Sequence, residues 1–194
     1  MKQNELIKQM TDKELKKQVI LSQLIFITIG IILSIFLFEE MSDWLLYFNW
    51  NPKEVFYYGV ISGLIIVSID LIIMYIFPGR YYDDGGINEK LFKNLSISDI
   101  FCVTLIIAVS EEILFRGVVQ TTFGYVFASV LFALMHIRYL KKPVLLISVL
   151  LISFYIGYLF ELTGNLYVTI TSHFTVDFLL GLFIRFQKRG AGNE

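Results

Sequence analysis

The sequence predicts an all-α membrane protein, a polytopic transmembrane helical bundle of about six spans plus an N-terminal amphipathic juxtamembrane helix. Hydrophobic residues make up 56% of the 194 residues and charged residues only 17%, whereas a soluble domain carries about 25% charged residues. The mean hydropathy is +0.69. The stretch 19–38 contains no charge, and 55–77 contains one. Because about 20 helical residues cross a bilayer core, these stretches favour membrane spans over the helices of a soluble protein.

The elements follow in order along the chain. Residues 1–18 are Lys-rich with a thin apolar stripe, which predicts a juxtamembrane helix on the cytoplasmic surface. The spans are predicted at 19–38, 55–77, 99–120, 122–138, 143–162 and 166–185. Turn and cap residues separate them, namely Asn51-Pro52, Pro78-Gly79, Ser98-Asp99 as a helix N-cap, and Thr163-Gly164-Asn165. The chain divides into 1–18, an N-terminal part 19–98 with two spans and a cytoplasmic loop, a four-helix core 99–185, and a cytoplasmic tail 186–194.

The distribution of basic residues predicts the orientation. Fourteen of the sixteen Lys and Arg residues fall in the two tails and in two alternate loops, at 2–17, 80–93, 138–142 and 185–189. The opposite side holds only Lys53 beside several acidic residues. By the positive-inside rule, we expect a multi-pass protein of the cell membrane with both termini in the cytoplasm. Within the second span, Gly59-x-x-x-Gly63 predicts a close helix–helix contact.

A few ionisable residues remain inside the predicted spans: Asp70, Glu111, Glu112, Arg116, His136, His173 and Asp177. The two histidines are the only ones in the chain. A charge at the bilayer centre costs about 3 kcal/mol or more, so such groups normally face the bundle interior and have partners or a function. Six of the seven lie in the last four predicted spans, which predicts that they converge on one site.

The first pattern is Glu111-Glu112-x-x-x-Arg116. Glu112 and Arg116 stack on one helix face with the acid first, which is the favourable order for an ion pair. Glu111 is rotated by about 100° around the helix from Glu112. It is therefore expected to point elsewhere and to keep its carboxylate available for proton chemistry. The alternative is a purely structural cluster of all three charges.

The other two patterns each contain a histidine, Phe132-x-x-x-His136 and His173-x-x-x-Asp177. A single histidine in a span is more often a packing residue than a catalyst. Two histidines, an unpaired glutamate and an aspartate on neighbouring spans nevertheless make a plausible convergent catalytic site. His136 lies closer to the cytoplasmic end than the others, so a tilted helix or an inward cavity has to bring it to them.

These three motifs, in this order on consecutive late helices, resemble the signature of the CPBP family of intramembrane proteases, the CAAX prenyl endopeptidase and bacteriocin-processing (Abi-like) group. The resemblance covers about residues 99–182 and includes the segment 157–166 before His173. Asp177 stands where the prenyl-endopeptidase branch typically has Asn. The resemblance implies a helical bundle with an internal cavity that hydrolyses a peptide bond inside the membrane.

The resemblance also implies roles for the site residues. Glu111 and His136 would activate a water molecule, and His173 and Asp177 would stabilise the oxyanion or position the carbonyl. Glu112 and Arg116 would support the site. An aspartate donates a hydrogen bond only when it is protonated. Otherwise Asp177 would orient His173 or bind a metal.

Metal dependence is left open, because members of the family have been described both as metalloproteases and as glutamate proteases. Two histidines and a carboxylate are a familiar zinc ligand set, and the candidates here are Glu111, His136 and His173. The chain contains no His-Glu-x-x-His motif. We therefore expect a glutamate-type mechanism without a cofactor, with zinc as the alternative.

Two other classes of function are compatible with the sequence. One is a catalytically inactive membrane scaffold, regulator or immunity protein of the same fold, and Asp177 motivates it. The other is a transporter or proton pathway, for which Asp70 is the best support. The expected partners are the lipid bilayer and a protein or peptide substrate, and no nucleic acid. The Ile-, Lys- and Asn-rich composition suggests a bacterial source and a substrate that is not prenylated, and the sequence does not specify an oligomeric state.

Overall fold

The computed structural model describes residues 9–82, 84–136, 139 and 142–187, and these residues form helices and turns without a strand. We number the α-helices of six residues or more. They are α1 (Asp12–Leu37), α2 (Pro52–Ile76), α3 (Ile87–Phe92), α4 (Ile97–Glu112), α5 (Tyr125–Met135), α6 (Pro143–Thr163) and α7 (Leu166–Phe186). Shorter turns lie at Met41–Asp43, Trp44–Tyr47, Gly79–Tyr81 and Thr121–Phe123. Two segments have π-helical hydrogen bonding, Val55–Ile61 within α2 and Ile113–Gln120 directly after α4.

Four of these helices, α1, α2, α6 and α7, are long and apolar enough to cross a membrane. Large apolar side chains such as Phe36 and Tyr75 are exposed on the outside of the bundle, as expected of a surface that faces lipid. The chain is therefore an all-α helical membrane protein, as predicted. The helix α4 has 16 residues before its π-helical continuation, and α5 has 11. The count of six spans stays a prediction for these two.

The first helix begins earlier than the first span was predicted to begin. Thr11 caps α1 in a reciprocal arrangement with Glu14, in which each side chain accepts a backbone N–H of the other residue. Residues 12–18, which were predicted to belong to a separate juxtamembrane helix, are therefore the first turns of α1. Residues 1–8 of that predicted helix lie outside the described residues, as do residues 188–194 of the predicted tail.

The predicted cap of α4 at Ser98-Asp99 was two residues late. Ser96 is the N-cap, and its hydroxyl oxygen accepts a hydrogen bond of 3.1 Å from the backbone N–H of Asp99. The Asp99 carboxylate in turn pairs with Lys16 Nζ at 2.5 Å. This pair connects the first turns of α1 and α4, so the two helices start at the same end of the bundle.

The helix α5 is shorter than the predicted span 122–138. Gly124, with a φ of 90°, separates it from the preceding turn, and the helix ends at Met135. His136, predicted to lie inside a span, follows the last helical residue with φ −82° and ψ 50°. The predicted tight connection before α7 is confirmed, since Gly164 is left-handed and Asn165 is the N-cap.

The helix α7 packs against α2, α3, α4 and α6, so it occupies the middle of the bundle. Its contact with α2 depends on two glycines. A Cβ atom on Gly59 would lie 2.9 Å from Thr171 Cβ, and one on Gly63 would lie 2.6 Å from Thr175 Cβ and 2.9 Å from the backbone oxygen of Ser172. The close helix–helix contact predicted from Gly59-x-x-x-Gly63 is confirmed.

We predict that Gly63→Ala lowers the free energy of unfolding by about 1–3 kcal/mol, because the added methyl forces α2 away from the backbone of α7. Gly30→Ala is the matched control, since its methyl would meet side-chain and backbone atoms at 3.5 Å or more. Both variants gain the same helix propensity. Reversible unfolding in mixed detergent micelles measures the difference. Equal stability of the two variants would contradict the close contact.

Candidate active site

Two consecutive carboxylates end α4. Glu111 is 7% exposed and Glu112 is completely buried. The π-helical segment begins at the next residue, and such widened turns are frequent at functional sites. Since both carboxylates are buried, each requires hydrogen-bond donors from neighbouring residues.

Glu112 lies between a guanidinium and an imidazole. Its Oε1 accepts a 2.9 Å hydrogen bond from His173 Nδ1 on α7, and its Oε2 is 3.4 Å from Arg116 Nε. The ion pair of Glu112 and Arg116 was predicted from the sequence. The contact with His173 was not, and it places Glu112 behind the histidine as the group that orients its ring.

Arg116 is also completely buried and is held from four sides. Its Nη2 donates to the hydroxyl (3.0 Å) and backbone oxygen (3.1 Å) of Ser153 on α6. Its Nη1 donates to Gln120 Oε1 at 3.3 Å, and its guanidinium lies 5.4 Å from the centre of the Phe132 ring on α5. The guanidinium therefore joins α4, α5 and α6 around one charge.

Glu111 is directed at a different nitrogen of His173 from the one that Glu112 contacts. Its Oε2 is 4.0 Å from His173 Nε2, so the two consecutive glutamates approach opposite nitrogens of one imidazole. Its Oε1 accepts a 3.3 Å hydrogen bond from Gln23 Nε2 on α1. The widened helix after Glu112 and the position of α7 bring both carboxylates to the same histidine.

Asp177 is one turn after His173 on α7. Its Oδ2 is 3.5 Å from His173 Nε2, and its side chain is 30% exposed. Nε2 of His173 thus lies near both Glu111 and Asp177, while its Nδ1 is hydrogen-bonded to Glu112. In the imidazolium form, both nitrogens of His173 donate to carboxylates.

His136 is placed by a hydrogen bond to its own segment. Its Nδ1 is 3.0 Å from the backbone oxygen of Phe132, so Nδ1–H donates and Nε2 is the ring atom that can accept. The Phe132 ring lies 4.9 Å from the His136 ring and 5.9 Å from the His173 ring, centre to centre. Phe132 therefore contacts both histidines and sets their separation.

A cavity of about 670 Å³ brings the predicted residues together. Its walls include the four predicted catalytic residues, Glu111, His136, His173 and Asp177. Asp70 of α2 lines it as well, and it extends to Asp84 and Gln187 near the start of α3 and the end of α7. Cavities of this size are typical of small-molecule and cofactor sites. Of the two arrangements expected for His136, a tilted helix or an inward cavity, the structure contains a cavity that His136 lines.

Comparisons with known proteins identify the family of the chain. The family model described as type II CAAX prenyl endopeptidase Rce1-like matches residues 93–179. The chain is also 42% identical over 167 residues to the uncharacterized protein YpbD of Bacillus subtilis (strain 168). The aligned region covers 86% of this chain and 88% of that protein. The chain belongs to the CPBP family of intramembrane proteases. No solved structure matches it.

The alternative zinc ligands of this CPBP protein, Glu111, His136 and His173, are not grouped as a metal site in the described part of the structure. Among the described residues, no three His, Cys, Asp or Glu side chains are grouped to hold a metal ion. The Phe132 ring contacts both histidines. The bond of His173 Nδ1 to Glu112 is compatible with either mechanism, since a histidine that ligates a metal through Nε2 commonly donates its Nδ1–H to a carboxylate. The metal-free mechanism stays a prediction.

The motifs did not reveal two polar residues of the CPBP site. Gln23 lies on α1, outside the residues that the family model matches, and its only sequence signal is a long amide side chain within an apolar span. Ser153 lies on α6 between the second and third motifs. Both are buried, and each contacts a charged residue of the site directly.

We predict that Arg116→Met lowers the free energy of unfolding by about 3–5 kcal/mol, because it leaves the Glu112 carboxylate buried without its cation. The double variant Glu112→Gln, Arg116→Met removes both charges and keeps an oxygen that can accept from His173. It should be more stable than Arg116→Met alone, and the same unfolding assay in mixed micelles measures the difference in the free energy of unfolding. A double variant less stable than Arg116→Met would contradict the charge pairing.

Proposed function

We propose that the protein is an intramembrane endopeptidase that hydrolyses a peptide bond of a membrane-associated protein or peptide. The observation that supports this most is that Glu111, His136, His173 and Asp177 line one cavity, although they come from α4, the end of α5 and α7. This set contains a carboxylate base, an imidazole that can orient water and an imidazole that can donate to an oxyanion, and these groups can catalyse amide hydrolysis. The family to which the chain belongs supports the same class of reaction.

In the proposed reaction, Glu111 is the general base. As a water oxygen attacks the scissile carbonyl carbon, one water proton passes to the Glu111 carboxylate. His136 holds the same water, with its Nε2 as the acceptor and its Nδ1 fixed by the Phe132 backbone oxygen. The water is therefore oriented by two groups before attack, which lowers the entropic cost of the step.

His173 and Asp177 act on the carbonyl oxygen. As the carbonyl becomes an oxyanion, the Nε2–H of the His173 imidazolium donates to it, while Nδ1–H remains bonded to Glu112. Asp177 Oδ2 lies 3.5 Å from the same Nε2 and keeps the ring in this orientation until the substrate oxygen replaces Asp177 as the acceptor. A donor of this kind contributes about 3–4 kcal/mol to the stability of the transition state.

The tetrahedral intermediate then collapses. The C–N bond breaks, and the proton on Glu111 passes to the leaving nitrogen, so that an amine and a carboxylic acid are formed. Glu111 is again a carboxylate, ready for the next water. Arg116 and Glu112 take no proton in this cycle, since their role is to hold His173 in place.

The setting we propose is a bacterial cell membrane, crossed about six times, with both termini in the cytoplasm. The concentration of Lys and Arg in the tails and alternate loops supports this orientation, and the relative from Bacillus subtilis supports a bacterial source. In this orientation, the end of the cavity near Asp84 and Gln187 is cytoplasmic. We propose a substrate without a prenyl group that enters from that side.

We predict that Glu111→Ala, His136→Ala and His173→Ala each reduce cleavage by a factor of about 10² or more, because each removes a group that moves a proton or stabilises charge. Quantitative peptidomics of membranes that contain the wild type or a variant, prepared with and without a chelator, measures the loss. Glu161→Gln is the matched control, since Glu161 is exposed and the variant keeps the oxygen that accepts from Gln120.

Cleavage that persists in Glu111→Ala would contradict the proposed mechanism. Variants without cleavage that still complement a deletion of the gene would favour the inactive scaffold instead. Cleavage that is lost with the chelator would contradict the metal-free route but would still support a protease.

A further inference from the structure

Gln23 is a long polar side chain in the apolar part of α1. It is 6% exposed and therefore faces the bundle rather than lipid. A buried amide destabilises a protein by about 1–3 kcal/mol unless it has hydrogen-bond partners. The partners of Gln23 therefore indicate why an amide occupies this position.

Both ends of the amide contact α4. Nε2 donates to Glu111 Oε1 at 3.3 Å, and Oε1 accepts from the hydroxyl of Ser110 at 2.6 Å. The amide thus bridges two consecutive residues, and one of them is the proposed general base. A buried donor next to a carboxylate in an apolar bundle makes a stronger contact than it would in water.

The Glu111 carboxylate determines which end of the amide faces it. The reversed amide would direct an oxygen at that carboxylate, which is repulsive when the group is ionised. Ser110 is compatible with the orientation described, because its hydroxyl lies close to three acceptors, Gln23 Oε1 at 2.6 Å, Ile106 O at 2.7 Å and Ile107 O at 3.0 Å, and can donate to the amide oxygen.

We propose that Gln23 is a positioning residue, which binds Oε1 of Glu111 and leaves Oε2 as the oxygen that takes the proton from water. This inference rests on the proposed function. Oε2 is the oxygen that faces His173 Nε2, at 4.0 Å, on the side of the cavity where a substrate would lie. With Oε1 held, the carboxylate cannot rotate to exchange its two oxygens.

The consequence is that α1 completes the site. The family model matches residues 93–179, so Gln23 lies outside the part of the chain that identifies the family. The Lys16–Asp99 pair holds α1 against α4 before Gln23. The edge-to-face contact of Phe26 with Phe115 holds α1 against the π-helical segment after Gln23. The Gln23 amide therefore lies on a helix that two further contacts hold in place.

The test compares Gln23→Met, which keeps an unbranched side chain but removes the amide, with Ser34→Ala. Ser34 is a buried residue of the same helix, and its hydroxyl bonds only to the Ile31 backbone oxygen among the contacts described. Infrared difference spectra of the purified full chain in lipid nanodiscs identify the Glu111 carboxylate band as the one that Glu111→Gln removes. That band should shift in Gln23→Met and stay unchanged in Ser34→Ala.

The second readout is the rate at which membranes release the peptides that the wild type produces and Glu111→Ala does not. Gln23→Met should slow this release by about ten- to a hundredfold, the usual effect of losing a hydrogen bond to a charged group, and Gln23→Asn should restore part of it. An unshifted band, or an unchanged rate, would overturn the inference. A shifted band together with a wild type that releases no peptides would support the contact of Gln23 with Glu111 and contradict the proteolytic function alone.

Discussion

The guanidinium of Arg116 and the carboxylate of Glu112 are both completely buried in a membrane protein, and the rest of the site depends on how they are satisfied. Neither group can remain ionised in an apolar bundle without partners, because the cost of removing a charge from water exceeds the gain from one ion pair. Further hydrogen bonds must therefore come from other helices. Ser153 supplies them for Arg116, and His173 supplies one for Glu112.

This requirement determines which helices must meet. Ser153 fixes α6 against the π-helical segment after α4, Phe132 brings α5 over the guanidinium, and His173 brings α7 to the other side. The same contact that satisfies Glu112 directs His173 Nε2 towards Glu111 and Asp177. The stability of the bundle and the arrangement of the proposed site thus come from one set of contacts, and a substitution that removes a buried charge affects both.

The sequence predicted what depends on local spacing and apolar length. It identified the membrane class, the ion pair of Glu112 with Arg116, the shared face of His173 with Asp177 and the glycine contact on α2. It could not predict that Glu112 rather than Asp177 binds His173 Nδ1, because that contact joins residues 61 positions apart and depends on how α7 packs. The contact of Gln23 with Glu111 was missed for the same reason, since hydropathy does not indicate which side of a helix meets a neighbour. The end of α5 before His136 was missed because no glycine or proline marks it in the sequence.

The central claim is that His173 is bonded to a buried Glu112 within the bilayer. Solid-state NMR on the full chain in lipid bilayers, with ¹⁵N-labelled histidine and ¹³C-labelled glutamate, measures the dipolar coupling of His173 Nδ1 to a glutamate carboxyl carbon. We predict a coupling as strong as a direct hydrogen bond requires. It should be present in the wild type and in Glu111→Gln and lost in Glu112→Ala. A His173 ring that shows no coupling to Glu112 would contradict it.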